Sequence, residues 1–173
     1  MENNWISRIE TVTKTIGKLF AWLIVPLVLS LCYEVMARYI LKKPTIWAFD
    51  ITYMLMSAIF LIAGGYTLAE GKHIKIDFLY LKFSTRTKAI IDSIGFIFLF
   101  LPVISVLAYF SVWKFIESIQ VRELSDMTPW HPHMGPFRAS MAIGFILLAI
   151  QVIAEIIKNM ILIFEQSRGE KGE

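Results

Sequence analysis

AIIDSIGFIFLFLPVISVLAYFSVWKFIESI, residues 89–119, decides what kind of chain this is. Asp92 stands near its start, Lys114 and Glu117 near its end, and no charged residue lies between. A hydrocarbon core takes about 20 helical residues to cross. No water is present there to satisfy a bare peptide group, so a stretch of this kind must be a helix. Three more stretches read the same way: Leu19–Leu41, Ile46–Ala69 and Phe137–Phe164. Four spans in 173 residues leave no room for a soluble catalytic domain, which argues against an enzyme. The expected fold is an all-α integral membrane protein with four transmembrane helices in a single domain, residues 1–173.

Composition agrees. Hydrophobic residues make up 57% of the chain and mean hydropathy is +0.63, whereas a soluble domain is about 45–50% apolar. The net charge of +3 matters through its distribution. With the N-terminus in the cytoplasm, eleven basic residues fall inside: Arg8, Lys14, Lys18, Lys72, Lys75, Lys82, Arg86, Lys88, Lys158, Arg168 and Lys171. Six fall outside: Arg38, Lys42, Lys43, Lys114, Arg122 and Arg138. Positive charge collects on the cytoplasmic side of membrane proteins, so both termini are expected there. The basic inner loop suits an anionic lipid leaflet rather than nucleic acid. Cys32, the single cysteine, sits mid-span and reads as a small apolar filler. The first eighteen residues are polar and of mixed charge, and the apolar run after them is too long for a signal peptide, so the first span should be retained.

The N-terminal segment is amphipathic. Trp5, Ile9, Val12, Ile16 and Leu19 recur at helical spacing, with Ser7, Arg8, Glu10, Thr11, Lys14 and Lys18 on the other side. That pattern predicts an interfacial helix over residues 1–18, anchored by Trp5. Lys42-Lys43-Pro44-Thr45 is a turn too short for anything but an antiparallel hairpin. Between the second and third spans, Asp77 can cap a short surface turn carrying Phe78, Leu79 and Leu81. Pro129, Pro132 and Pro136 forbid a continuous helix in the outer loop from Gln120 to Pro136, and Pro26 and Pro102 should kink the first and third spans.

Few polar groups lie at depth. Glu34 and Arg38 are four apart and share a helix face, as an intramembrane ion pair or, alternatively, a proton or ion site. Asp50, near Trp47, suits a membrane-belt position, and Asp92 suits the first turn of a helix. Gln151 and Glu155, four apart in the last span, should face another helix. Gly64, Gly65, Ser140 and Gly144 are small enough to bring a neighbouring helix close, and with Gln151 and Glu155 they are candidates for subunit packing. His73, His131 and His133 all fall in loops, where they cannot serve as haem ligands between helices, and no metal or cofactor site is expected.

Taken in order, these motifs resemble the small membrane subunit of tripartite ATP-independent periplasmic (TRAP) transporters. Arg38-Tyr39, Pro44, Trp47 and Asp50 match that family's first hairpin, with Asp50 where glutamate is usual. Gly65, Leu68 and Gly71-Lys72-His73-Ile74-Lys75-Ile76-Asp77 match its inner loop. Arg122-Glu123-Leu124-Ser125, the prolines and Gln151 match its outer loop and last helix. The resemblance implies a bacterial inner-membrane location. It implies an accessory subunit that braces a large transport subunit, served by a periplasmic binding protein, in a complex that imports an organic acid on a sodium gradient not bound by this chain. Arg122, Trp130, His131 and His133 are then candidates for docking the binding protein. A self-sufficient proton-coupled transporter using Glu34, or a membrane assembly or anchoring protein, are the alternatives. The substrate, carboxylate or sulfonate, is not legible.

Overall fold

The computed structural model describes residues 4–70 and 85–169. Among them the chain order is α1 (Asn4–Ala21), α2 (Ile24–Tyr39), α3 (Ala48–Ala69), α4 (Thr85–Ile94), a π-helical turn (Gly95–Phe100), α5 (Leu101–Gln120) and α6 (Gly135–Gly169). One isolated antiparallel bridge joins Leu124 to His133. Four helical stretches are long and apolar enough to cross a membrane: Trp5–Tyr39, Ala48–Ala69, Thr87–Gln120 and Gly135–Phe164. The four expected spans are therefore present. His73, Asp77 and the surface turn at 78–81 lie outside the described residues.

The expected amphipathic N-terminal helix is present as α1, but it is part of the first span rather than a separate piece. The junction falls at Trp22 and Leu23, and Pro26 is its cause. Proline has no N–H for the Trp22 carbonyl four residues back. That carbonyl takes the Val25 N–H instead, at 3.1 Å, and Leu23 N–H bonds the Phe20 carbonyl at 3.0 Å. The helix tightens for one turn and continues. Pro102 has the opposite effect in the third span. The ladder just before it widens, so that the Leu101 N–H reaches the Phe96 carbonyl five residues back.

The face that α1 turns to the rest of the protein is not its apolar stripe. Ile6 and Thr13 are buried, while Trp5, Val12 and Leu19 of the apolar stripe are exposed. The Tyr66 side chain lies so close to Gly17 that a Cβ there would come within 2.7 Å of it. Charges complete the attachment: Lys14 meets Glu70 at 3.2 Å, and Lys158 contacts both Glu10 and Glu155. The apolar stripe points away from the other helices because surrounding lipid accepts it as readily as protein does.

The spans form a row. Helix α2 packs on α3, α3 on α6, and α6 on α4 and α5, with α1 laid across α3 and α6. The order in space is first, second, fourth, third, a layer rather than a closed four-helix bundle. Its centre is the α3–α6 contact, where Gly144 lets Leu61 approach so closely that a Cβ would come within 2.8 Å of the leucine Cβ. Gly65 fits against Thr13 and the backbone of Leu147 and Leu148. At the edge of the row, α2 buries only Ser30 and Ala37.

Candidate functional site at the loop end of the layer

The turn at 40–47 and the loop at 121–134 occupy the same end of the layer. Both begin by stopping a helix in the left-handed conformation. Lys42 closes α2 at φ 54, and the Lys43 N–H caps the Ala37 carbonyl at 2.9 Å. Arg122 closes α5 at φ 51, and the Glu123 N–H caps the Ser118 carbonyl at 2.9 Å. Glycine is the usual residue there, so its absence hides both stops in the sequence.

Three carboxylates organise this end, and each is matched with donors from another part of the chain. Glu34 accepts from Arg38 Nε at 3.0 Å, from the Thr45 backbone N–H at 3.0 Å, and from the Thr45 hydroxyl. The same hydroxyl receives the Ala48 N–H at 3.4 Å, so one threonine ties α2 to the start of α3. Tyr33 stacks on Trp47 beside it, ring centroids 5.7 Å apart.

Asp50, on the first turn of α3, is 0% exposed. Its carboxylate accepts from the Ser125 hydroxyl at 2.8 Å and from the Thr128 hydroxyl. Burying a carboxylate is costly unless hydrogen bonds compensate it, and these two come from 75 and 78 residues away. The belt reading of Asp50 is therefore corrected: it is an anchor point for the loop. Around it the loop holds itself together. Ser125 N–H bonds the Pro132 carbonyl at 2.9 Å, Met134 N–H bonds the Glu123 carbonyl at 2.9 Å, and His131 Nδ1 lies 2.7 Å from the Ser125 carbonyl.

Glu123 forms a two-pronged pair with Arg138 at the start of α6, Oε1–Nη2 2.7 Å and Oε2–Nε 3.2 Å. The guanidinium holds the Glu123 carboxyl below its ordinary range. Arg122, Trp130, His131 and His133 stay exposed on the loop that these bonds fix.

The small and polar residues proposed for subunit packing divide. Gly65, Ser140, Gly144 and Gln151 are buried within this chain, so that role is corrected to internal packing. Gly64 has nothing within 4 Å of where its Cβ would stand. Gln151 is 0% exposed, with Nε2 at 3.5 Å from Glu155 and Oε1 without a partner among the described residues. Glu155 belongs to the charge cluster that holds α1. Three residues that matter at the loop end escape the sequence reading. Thr45 and Thr128 carry only the weak signal of a hydroxyl beside a proline near a span end, and Arg138 reads there only as an outer charge.

The fold and this end define a multi-pass helical membrane protein with hydrogen-bonded loops. The family model for the DctQ component of tripartite ATP-independent periplasmic transporters matches residues 27–161. The chain belongs to that family. It is a transporter component family, not an enzyme family, and it works within three-part assemblies. The matched segment contains all three carboxylate sites and begins after α1. No match is found among curated proteins.

Proposed function

We propose that this chain is the accessory membrane subunit that braces the large transport subunit of a sodium-driven TRAP system in the bacterial inner membrane. The substrate would be an organic acid held by a periplasmic binding protein. The observation that carries the reading is the layer itself. Apart from α1, which crosses α3 and α6, the row is one helix thick and encloses no path of its own among the described residues, and it leaves broad apolar faces for a second membrane protein. The excess of basic residues at the end carrying the termini supports cytoplasmic termini, which turns the loop end to the periplasm. There the 121–134 loop offers Arg122 and Trp130, residue types that commonly anchor interfaces. Its shape is set beforehand by Asp50, so less entropy is lost on docking the binding protein.

The engagement of Glu34 by Arg38 and Thr45 favours a structural pair over proton exchange, and with it the accessory reading over a self-sufficient transporter. Reconstitution tests this. Proteoliposomes holding this chain alone should show no uptake. Those holding it with the large subunit, given binding protein and a sodium gradient, should show uptake. Uptake by the chain alone would overturn the reading. Docking is tested separately with Arg122→Ala and Trp130→Ala in assembled complexes. Half-saturation by binding protein should rise while the rate at saturation holds.

A further inference from the structure

Two grooves open on the layer at the loop end, and they share Met141 on α6. The larger, about 500 Å³, runs past Tyr53 and Phe60 on α3. The smaller, about 230 Å³, runs past Leu107 and Phe110 on α5 and carries Ser111, Lys114 and Arg138 along its lining. The grooves are apolar, and their cations belong to the smaller one.

Both cations already hold a carboxylate, and both have donors to spare. An ammonium has three N–H groups, and Lys114 gives one to Glu117 at 2.8 Å. Arg138 meets Glu123 through Nε and Nη2, and its Nη1 makes no hydrogen bond among the described residues. The depth of these cations is marked independently. Trp113 and Tyr109 are exposed on α5 beside them, and Lys114 lies 5.8 Å from the Trp113 ring centroid. Exposed tryptophan and tyrosine collect at the headgroup level of a membrane.

We propose that this face binds one diacyl glycerophospholipid, its phosphate against Lys114 and Arg138 and its two chains parted by Met141 into the two grooves. The charge fits: a phosphodiester is an anion, and the remaining donors are on cations, which bind phosphate oxygens strongly. The shape fits, because two apolar grooves meet near one polar mouth. The depth fits, because the mouth is level with the aromatic residues. A free phosphate would leave both grooves empty, and a diacylglycerol would leave the spare N–H groups of both cations without an anionic acceptor from the ligand.

Native mass spectrometry of the full chain, released from micelles supplemented with one lipid at a time, tests this. Phosphatidylglycerol should be retained one to one. Diacylglycerol with the same chains should be retained about tenfold less, the loss expected for one charge-assisted contact. The single-chain lysophosphatidylglycerol should also be retained less. Lys114→Gln should lower phosphatidylglycerol retention about tenfold. Leu107→Trp, at an exposed position, narrows the smaller groove and should bring the diacyl lipid down to the level of the lyso form. If Lys114→Gln loses helical circular dichroism, Leu107→Trp decides the matter. Equal retention of phosphatidylglycerol and diacylglycerol would overturn the proposal. So would retention unchanged in a folded Lys114→Gln or Leu107→Trp. Loss of the lipid on complex formation with the large subunit would also overturn it, and would assign the face to a protein interface.

Discussion

The two ends of the layer are held by different chemistry. At the loop end, short side chains close onto carboxylates: Ser125 and Thr128 onto Asp50, Thr45 onto Glu34. At the end carrying the termini, long ones reach across: Lys14 to Glu70, Lys158 to Glu10 and Glu155. A hydroxyl on a short stem has few rotamers to lose and a narrow range of good geometry. A lysine has many rotamers, keeps much of its hydration, and is worth little as an exposed ion pair. The loop end, where Arg38 and Arg138 add ion pairs to these hydroxyl contacts, should therefore be the stiffer and the less sensitive to salt, and α1 should be compliant and more salt-dependent. This contrast is what a docking platform on one side and an adjustable attachment on the other would require.

The sharpest way to break the contrast is Asp50→Ala. It strands two hydroxyls that the loop has brought inward, and each costs about 1–3 kcal/mol when left without a partner. Thermal unfolding in detergent should fall by about 3 kcal/mol, and protease should begin to cut within 121–134. Asp50→Asn, which keeps the shape and one acceptor, should fall less. A loop that remains protected in Asp50→Ala would refute the anchoring role.

Next is Gly144→Ala. A methyl group would have to displace Leu61 at the centre of the row, and overpacking of this kind costs about 1–3 kcal/mol. Gly64→Ala is the control. Its Cβ meets open space, so stability should hold or rise slightly, since alanine is the better helix former. Equal losses in the two variants would contradict the packing described.

A smaller effect is expected from pH at the loop end. Arg138 depresses the Glu123 carboxyl in the folded state, so the pair contributes stability that is fully present above about pH 4.5 and is lost as pH falls through the lower folded value. Wild type should lose this increment on acidification and Glu123→Gln should not. Identical acid limbs in the two unfolding profiles would remove the pair from the account. The smallest effect belongs to the other end. Lys14→Ala should cost about 0.5 kcal/mol and less in high salt, read as the salt dependence of unfolding in detergent. A large, salt-independent loss would erase the distinction between the ends.

What run length controls is legible in the sequence, and what contact controls is not. The four spans can be read because the hydrocarbon thickness sets their length. The face of α1 cannot, because the spacing of apolar residues locates a stripe without saying whether lipid or protein receives it. Trp5 and Val12 are exposed, while Thr13 is the residue that is buried. The row is not legible at all, since adjacency in lipid depends on small residues whose partners cannot be told from one chain. Glu34 and Arg38 lie within one helix turn, so their pairing shows in their spacing. Asp50 gives no such sign, because its partners lie on the far side of two spans.

The short helix α3 has a consequence for how the protein sits in its bilayer. Its 22 residues measure about 33 Å, close to the roughly 30 Å hydrocarbon thickness. The helical stretch Trp5–Tyr39 has 35 residues, about 50 Å, and α6 is equally long. The long helices overshoot while α3 fits, so α3 acts as a ruler. Its last residues, where Glu70 meets Lys14, mark the water line. Among the described residues, the start of α1 and the end of α6 run past that pair, and their exposed apolar side chains, Trp5, Val12 and Phe164 among them, suit the boundary between headgroups and acyl chains; a thinner or thicker membrane would shift these two helix ends without disturbing the loops at the other end.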